Sequence, residues 1–85
     1  MENKNPIQVA DRLFLVLETL ADAGPLPLTD LSHRLDLNKS TVHRLLTSLV
    51  YLGYVKQDTE TGKYYLSFKI LSLSNRLLEK MDILD

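Results

Sequence analysis

The sequence predicts a mainly helical domain that carries one small β-hairpin. Apolar residues recur at helical spacing over several separate stretches of the 85 residues. Two β-prone segments, Tyr54–Gln57 and Lys63–Leu66, flank a polar turn containing Gly62. Gly24, Pro25, Pro27, Asn38 and Gly53 stand where helices should start or stop. Hydrophobic residues make up 45% of the chain and charged residues 25%, values of a folded rather than a disordered chain. A domain this short buries only roughly 60–65% of its unfolded surface, so a contact with a second copy would help to stabilise it.

Residues 1–6 read as a polar arm ending at Pro6. A first helix is expected over Ile7–Ala23, with Val9, Leu13, Val16, Leu17 and Leu20 forming one apolar stripe. Pro25-Leu26-Pro27-Leu28 is expected to be extended, because a residue before proline is pushed away from helical angles, and to make a very short edge strand. Thr29 is read as the N-cap of a second helix, Asp30–Asp36, with Leu31 and Leu35 facing inward. After the turn Asp36-Leu37-Asn38, Asn38 caps a third helix, Lys39–Leu52, which ends at Gly53. In the hairpin, Tyr64 and Leu66 alternate with Lys63 and Tyr65, so one pair should pack on the helices and the other face water. From Phe68 the period is helical again: Ile70, Leu73, Leu77 and Leu84 lie close to a heptad seam, with Leu78 and Met81 beside it. Two short helices joined by a tight turn, then a hairpin, form a winged helix-turn-helix, here followed by a linker helix.

Several function classes fall away. The chain has no cysteine, which excludes a disulfide scaffold, thiolate-bound zinc and a cysteine nucleophile. His33 and His43 lack metal-ligand spacing, and no metal or cofactor is expected. No apolar run approaches the ~18 residues of a membrane span, and the polar start lacks a signal-peptide core, so the expected location is the cytoplasm. No nucleophile–base pair, paired carboxylate site or phosphate-cradling glycine loop is visible, and an enzyme is not expected. The net charge is −1, but its distribution is uneven. Lys4 and Arg12 face five acids over residues 1–32; Arg34, Lys39, Arg44, Lys56, Lys63 and Lys69 face only Asp36, Asp58 and Glu60 over residues 33–69. A basic middle can attract phosphate while the total stays near zero.

The third helix is the informative element. At ~100° per residue, Val42, Leu45, Leu46, Leu49 and Val50 cluster on one side, while Ser40, Arg44, Thr47 and Tyr51 point the opposite way. Thr41, His43 and Ser48 flank them, and no acid occurs over residues 39–52. A solvated helix usually mixes Glu with Lys, so an acid-free helix favours contact with an anion. A major groove admits such a helix, and Arg44 can bind guanine O6 and N7 bidentately. Ser40 and Thr41 lie on the first turn, where backbone N–H groups and the positive dipole end meet phosphate. Lys39 and His43 can approach the backbone, and Lys63, expected at the hairpin tip, can reach phosphate or a neighbouring minor groove. The candidate DNA-binding set is Thr29, Arg34, Lys39, Ser40, Thr41, His43, Arg44, Thr47 and Lys63. The candidate self-association set is Val9, Leu13, Ile70, Leu73, Leu77, Met81 and Leu84. The alternative is a winged helix that binds protein.

The run Leu37-Asn38-Lys39-Ser40-Thr41-Val42-His43-Arg44-Leu45-Leu46, then Leu49-Val50-Tyr51-Leu52-Gly53-Tyr54-Val55 and Thr61-Gly62-Lys63-Tyr64-Tyr65-Leu66, resembles the N-terminal DNA-binding domain of IclR-type bacterial transcriptional regulators. Val9–Glu18 is similar to their first helix, and the likeness covers about residues 7–84. The resemblance implies a homodimeric repressor or activator on a pseudo-palindromic operator. It also implies a division into an arm over 1–6, a DNA-binding domain over 7–67 and a linker helix over 68–85. That helix would lead to an effector-binding domain absent from this chain, through which alone a small molecule would act. Recognition-helix contacts carry over to Lys39, Ser40, Thr41, His43 and Arg44, and a wing contact to Lys63. The chain departs from the family pattern at Asn38, often proline, at Ser67 and Ser74, often glycine, and at Lys63, often arginine.

Overall fold

A computed structural model describes residues 6–81, and the apolar stripes of the sequence become its helices. In chain order these are α1 (Gln8–Ala23), α2 (Leu28–Leu35), α3 (Lys39–Leu52), β1 (Val55–Gln57), β2 (Tyr64–Leu66) and α4 (Lys69–Lys80). The fold is the mostly helical one expected, with an antiparallel hairpin between α3 and α4. Residues 1–5 of the expected arm and Leu84 lie outside the described residues.

α1 buries Val16 and Leu20 and stops at Gly24, whose N–H returns to Leu20 O at 2.9 Å. Leu26 is extended and exchanges two backbone hydrogen bonds with Tyr64, at 3.0 and 2.8 Å, which makes the expected edge strand a single bridge. α2 corrects the sequence reading. It starts at Leu28, with Pro27 at the N-cap position, so Thr29 sits inside the first turn and caps nothing. The cause is Pro27 itself: extended at φ −77° and ψ 163°, it already accepts from Leu31 N–H through its carbonyl at 3.1 Å, the first bond of the helix. Leu31 is fully buried.

The α2–α3 turn is tight because Asp36 adopts the left-handed conformation, φ 56° and ψ 44°. Leu37 N–H then reaches Ser32 O at 3.2 Å, and Ser32 Oγ donates to Leu37 O. Asn38 caps α3 as expected, its side-chain oxygen accepting from Thr41 N–H at 2.9 Å. Val42, Leu45, Leu46 and Leu49 are buried. Val50, expected among them, is 42% exposed, because it lies at the edge of the arc that faces α1 and α2. Gly53, at φ 92°, ends α3, and Tyr54 N–H turns back to Leu49 O at 3.0 Å.

The hairpin pairs Val55 with Leu66, Lys56 with Tyr65 and Gln57 with Tyr64. Val55 and Tyr64 are buried and Leu66 half-buried, while Lys56 and Lys63 are exposed and Tyr65 is half-buried. The core therefore joins α1, α2 and α3 to one face of the hairpin: Val16, Leu20, Leu26, Leu31, Val42, Leu45, Leu46, Leu49, Val55 and Tyr64. α4 buries none of its residues.

Candidate nucleic-acid interface

The core fixes which side of α3 is free. With Val42, Leu45, Leu46 and Leu49 held against α1 and α2, the exposed side carries Lys39, Ser40, His43, Arg44, Thr47, Ser48 and Tyr51. Tyr51 is 87% exposed. Thr41 is half-buried at the margin. Asn38 organises the start of this face twice, since its side-chain oxygen also accepts from Ser40 Oγ at 2.9 Å. Thr41 N–H is thereby occupied. Among the described residues the N–H groups of Lys39 and Ser40 keep no protein acceptor, and these two remain available to an anion at the positive end of the helix.

Thr41 and Arg44 line a hollow of about 270 Å³ between α3 and the start of α1, together with Ser48, Leu45, Val9, Leu13 and Arg12. Two arginines, a threonine and a serine thus share the lining with three apolar residues, with no carboxylate among them. Among the described residues no ion pair holds Arg12 or Arg44. Arg12 is a cation of this hollow that α3 alone does not point to. Its signal lay in the helical wheel: it stands three residues after Val9 and four before Val16, a lone cation at the edge of an apolar stripe. The hollow also separates the candidate self-association residues. Val9 borders the α3 face, while Leu13 additionally lines an apolar groove with Ile70 and Leu73. Leu73, Leu77 and Met81 are exposed along α4.

The other candidates are held on separate elements. Thr29 and Arg34 are exposed on α2. Lys63 is exposed on the wing but stands at the base of the loop, not its tip: its carbonyl accepts from Asp58 N–H at 2.8 Å. The tip is Thr59-Glu60-Thr61, shaped by the Asp58 side chain, which accepts from Glu60 N–H at 2.8 Å and Thr61 N–H at 3.3 Å. These hydrogen bonds, that of Glu60 first, hold the Asp58 carboxyl below its ordinary pKa, with the nearby Lys63 charge adding to them. Gly62 completes the loop at φ 77°. Lys69, counted with the basic middle segment, is withdrawn from that surface, because its ammonium donates to Leu52 O at 2.7 Å. Among the described residues no cluster of His, Asp and Glu is placed to hold a metal ion, and no helix is long and apolar enough to cross a membrane.

An exposed, acid-free helix after a tight turn, beside a hairpin, is the arrangement of a DNA-reading head, and comparison with known families decides which. Residues 9–59 match the profile of the IclR helix-turn-helix domain. The chain belongs to the IclR family. Over residues 9–59 it is an IclR-type helix-turn-helix domain. The transcriptional regulator KdgR of Escherichia coli is 36% identical over 84 residues, covering 96% of this chain and 32% of KdgR. The E. coli protein named DNA-binding transcriptional repressor YiaJ is 41% identical over 74 residues, 86% of this chain and 26% of its own. Among solved structures, an IclR family regulator from Brucella abortus superimposes with a TM-score of 0.83 at 31% identity, over 98% of this chain and 33% of that one. An IclR regulator from Alicyclobacillus acidocaldarius gives 0.86 at 25% identity, over 93% and 32%. The chain spans about a third of the length of such relatives.

Proposed function

We propose that this chain is the sequence-reading head of a bacterial transcriptional regulator, with α3 seated in a major groove. Arg44 reads a guanine, Ser40, Thr41 and Thr47 contact neighbouring base edges or methyl groups, and Lys39 and His43 meet the backbone. Lys63 on the wing, Thr29 and Arg34 on α2, and Arg12 on α1 add backbone contacts that position the helix without reading sequence. The observation that carries this reading is the acid-free exposed face of α3, whose Arg44 shares one hollow with Arg12.

Two heads would act together. Each copy reads one half-site, so a dimer joined through the apolar surfaces of α1 and α4 reads an inverted repeat. In a regulator about three times this length, an effector domain following the linker helix would set the spacing of the two heads. Such a protein works in the cytoplasm, on the nucleoid. It neither catalyses a reaction nor needs a cofactor.

Selection of bound duplexes from a random DNA pool at low salt tests the reading, followed by fluorescence anisotropy of the enriched duplex against salt. Enrichment of an inverted repeat with a steep salt slope is expected. A single enriched half-site would keep the DNA reading and remove the dimer from this chain. Absence of both enrichment and salt-sensitive binding would overturn it.

A further inference from the structure

α3 ends in carbonyl groups with no partner inside the helix. Two such carbonyls at this end are taken by the residues that open α4, although those residues follow the whole hairpin. Ser67 Oγ donates to Gly53 O at 2.6 Å, and Lys69 Nζ donates to Leu52 O at 2.7 Å. The same Ser67 oxygen accepts from Lys69 N–H at 3.2 Å, so one hydroxyl ties the end of α3 to the start of α4. Ser67 N–H donates to Tyr54 O at 2.9 Å. The Lys69 ammonium stands 4.7 Å from the centroid of the Tyr54 ring. Its stem crosses Gly53 so closely that a Cβ there would come within 3.3 Å of Lys69 Cδ. A cation at this end also complements the α3 dipole.

The rest of α4 is held weakly. None of its residues is buried. Ile70 and Leu73 face Leu13, Leu17 and Leu49 across an open apolar groove of about 270 Å³ rather than interlocking with them. The direction of α4 is therefore set at its base.

We propose that Lys69 and Ser67 form a positioning joint that fixes the direction of α4 relative to α3. A helix clamped this way carries a displacement at its far end to the carboxyl end of α3. The joint is a property of the chain alone. Its consequence, that it sets the separation of two α3 helices joined through α4, rests on the DNA reading above.

The absence of native cysteine makes the test direct. Tyr51→Cys and Glu79→Cys, both at exposed positions, place spin labels on α3 and α4. Labelled chain diluted into an excess of unlabelled chain gives the intramolecular distance by double electron–electron resonance. One narrow distance peak is expected. Lys69→Met keeps the stem over Gly53 and removes the ammonium, and it should lose the narrow peak at unchanged helix content by circular dichroism. Ser67→Ala, which removes the shared hydroxyl, should broaden the distribution as well. A narrow peak retained in both variants overturns the joint. On DNA, Lys69→Met should bind a single half-site within about twofold of the unsubstituted chain, yet lose its preference among duplexes with differently spaced half-sites. An unaltered spacing preference also counts against the joint. Failure of the unsubstituted chain to bind any duplex removes the DNA reading and leaves the distance measurement to decide the joint.

Discussion

Asp58 orders the wing loop through its own carboxylate, which accepts from Glu60 and Thr61 N–H. Because these bonds favour the charged form, the folded carboxyl titrates below its ordinary value. Its contribution is therefore complete above the ordinary carboxylate range and is lost as pH falls through the depressed value. Acidification should shift the Glu60 and Thr61 amide resonances together, in an NMR titration, before the core signals change. Asp58→Asn keeps an acceptor and should abolish that shared titration; a persistent one would assign it to another group. The cations proposed to meet DNA divide differently. Arg44→Ala should cost about 1–3 kcal/mol on the preferred duplex and relax the preference at one base pair. Arg12→Ala and Lys63→Ala should each weaken all duplexes alike and reduce the salt slope by about one. Anisotropy on matched and single-base-variant duplexes separates these outcomes, and equal loss of specificity in all three variants would defeat the division. Arg44 is readable from the wheel of α3 alone. Arg12 shows in the wheel of α1 only as a lone cation at the edge of the apolar stripe; that it shares a hollow with Arg44 depends on the packing of α1 against α3.

Among the elements, the helix-turn-helix depends on one left-handed residue. Asp36 holds φ 56° with an exposed side chain, so its substitution tests the backbone more than a contact. Asp36→Val should lower stability by about 1–2 kcal/mol, because a β-branched residue resists this conformation, whereas Asp36→Gly should retain or slightly raise it. Chemical denaturation measures both, and equal loss in the two variants would point to the carboxylate instead. Leu46, fully buried where α3 meets the core, sets the other extreme. Leu46→Ala should cost about 2–5 kcal/mol, a large share of the stability of a domain this small. Local chemistry made most elements visible in the sequence. Asn38 and Gly53 bound α3 as their side chains or lack of one dictate, and apolar spacing alone locates α1 and, Val50 excepted, the buried face of α3. Local chemistry misleads where two signals compete or a partner is remote. Pro27 and Thr29 can both begin a helix, and the Pro27 carbonyl took the first intrahelical bond. Lys69 reads as one more surface cation until the chain folds its base onto Leu52, 17 residues earlier.

At the scale of the molecule, what remains outside the core is as informative as the core. Leu71, Leu73, Leu77, Leu78 and Met81 are exposed along α4, and Phe14 and Leu15 are exposed on α1. Scattered apolar residues need no explanation, but a helix with no buried residue and this many apolar ones has a face to cover. A second copy offers the same face, and a two-fold contact of α4 with α4 suits a heptad-like spacing. Sedimentation of the chain should show association that grows with concentration. Leu73→Glu combined with Leu77→Glu should leave single copies, since a carboxylate in such a seam is either desolvated or faces its like. The double variant should still bind a single half-site, because neither leucine touches α3's exposed face. Linkage then ties the assembly to stability: if only the folded chain associates, the midpoint of thermal unfolding must rise with concentration in the unsubstituted chain and stay constant in the variant. A chain that sediments as single copies throughout, with a midpoint independent of concentration, would count against a dimer formed through α4.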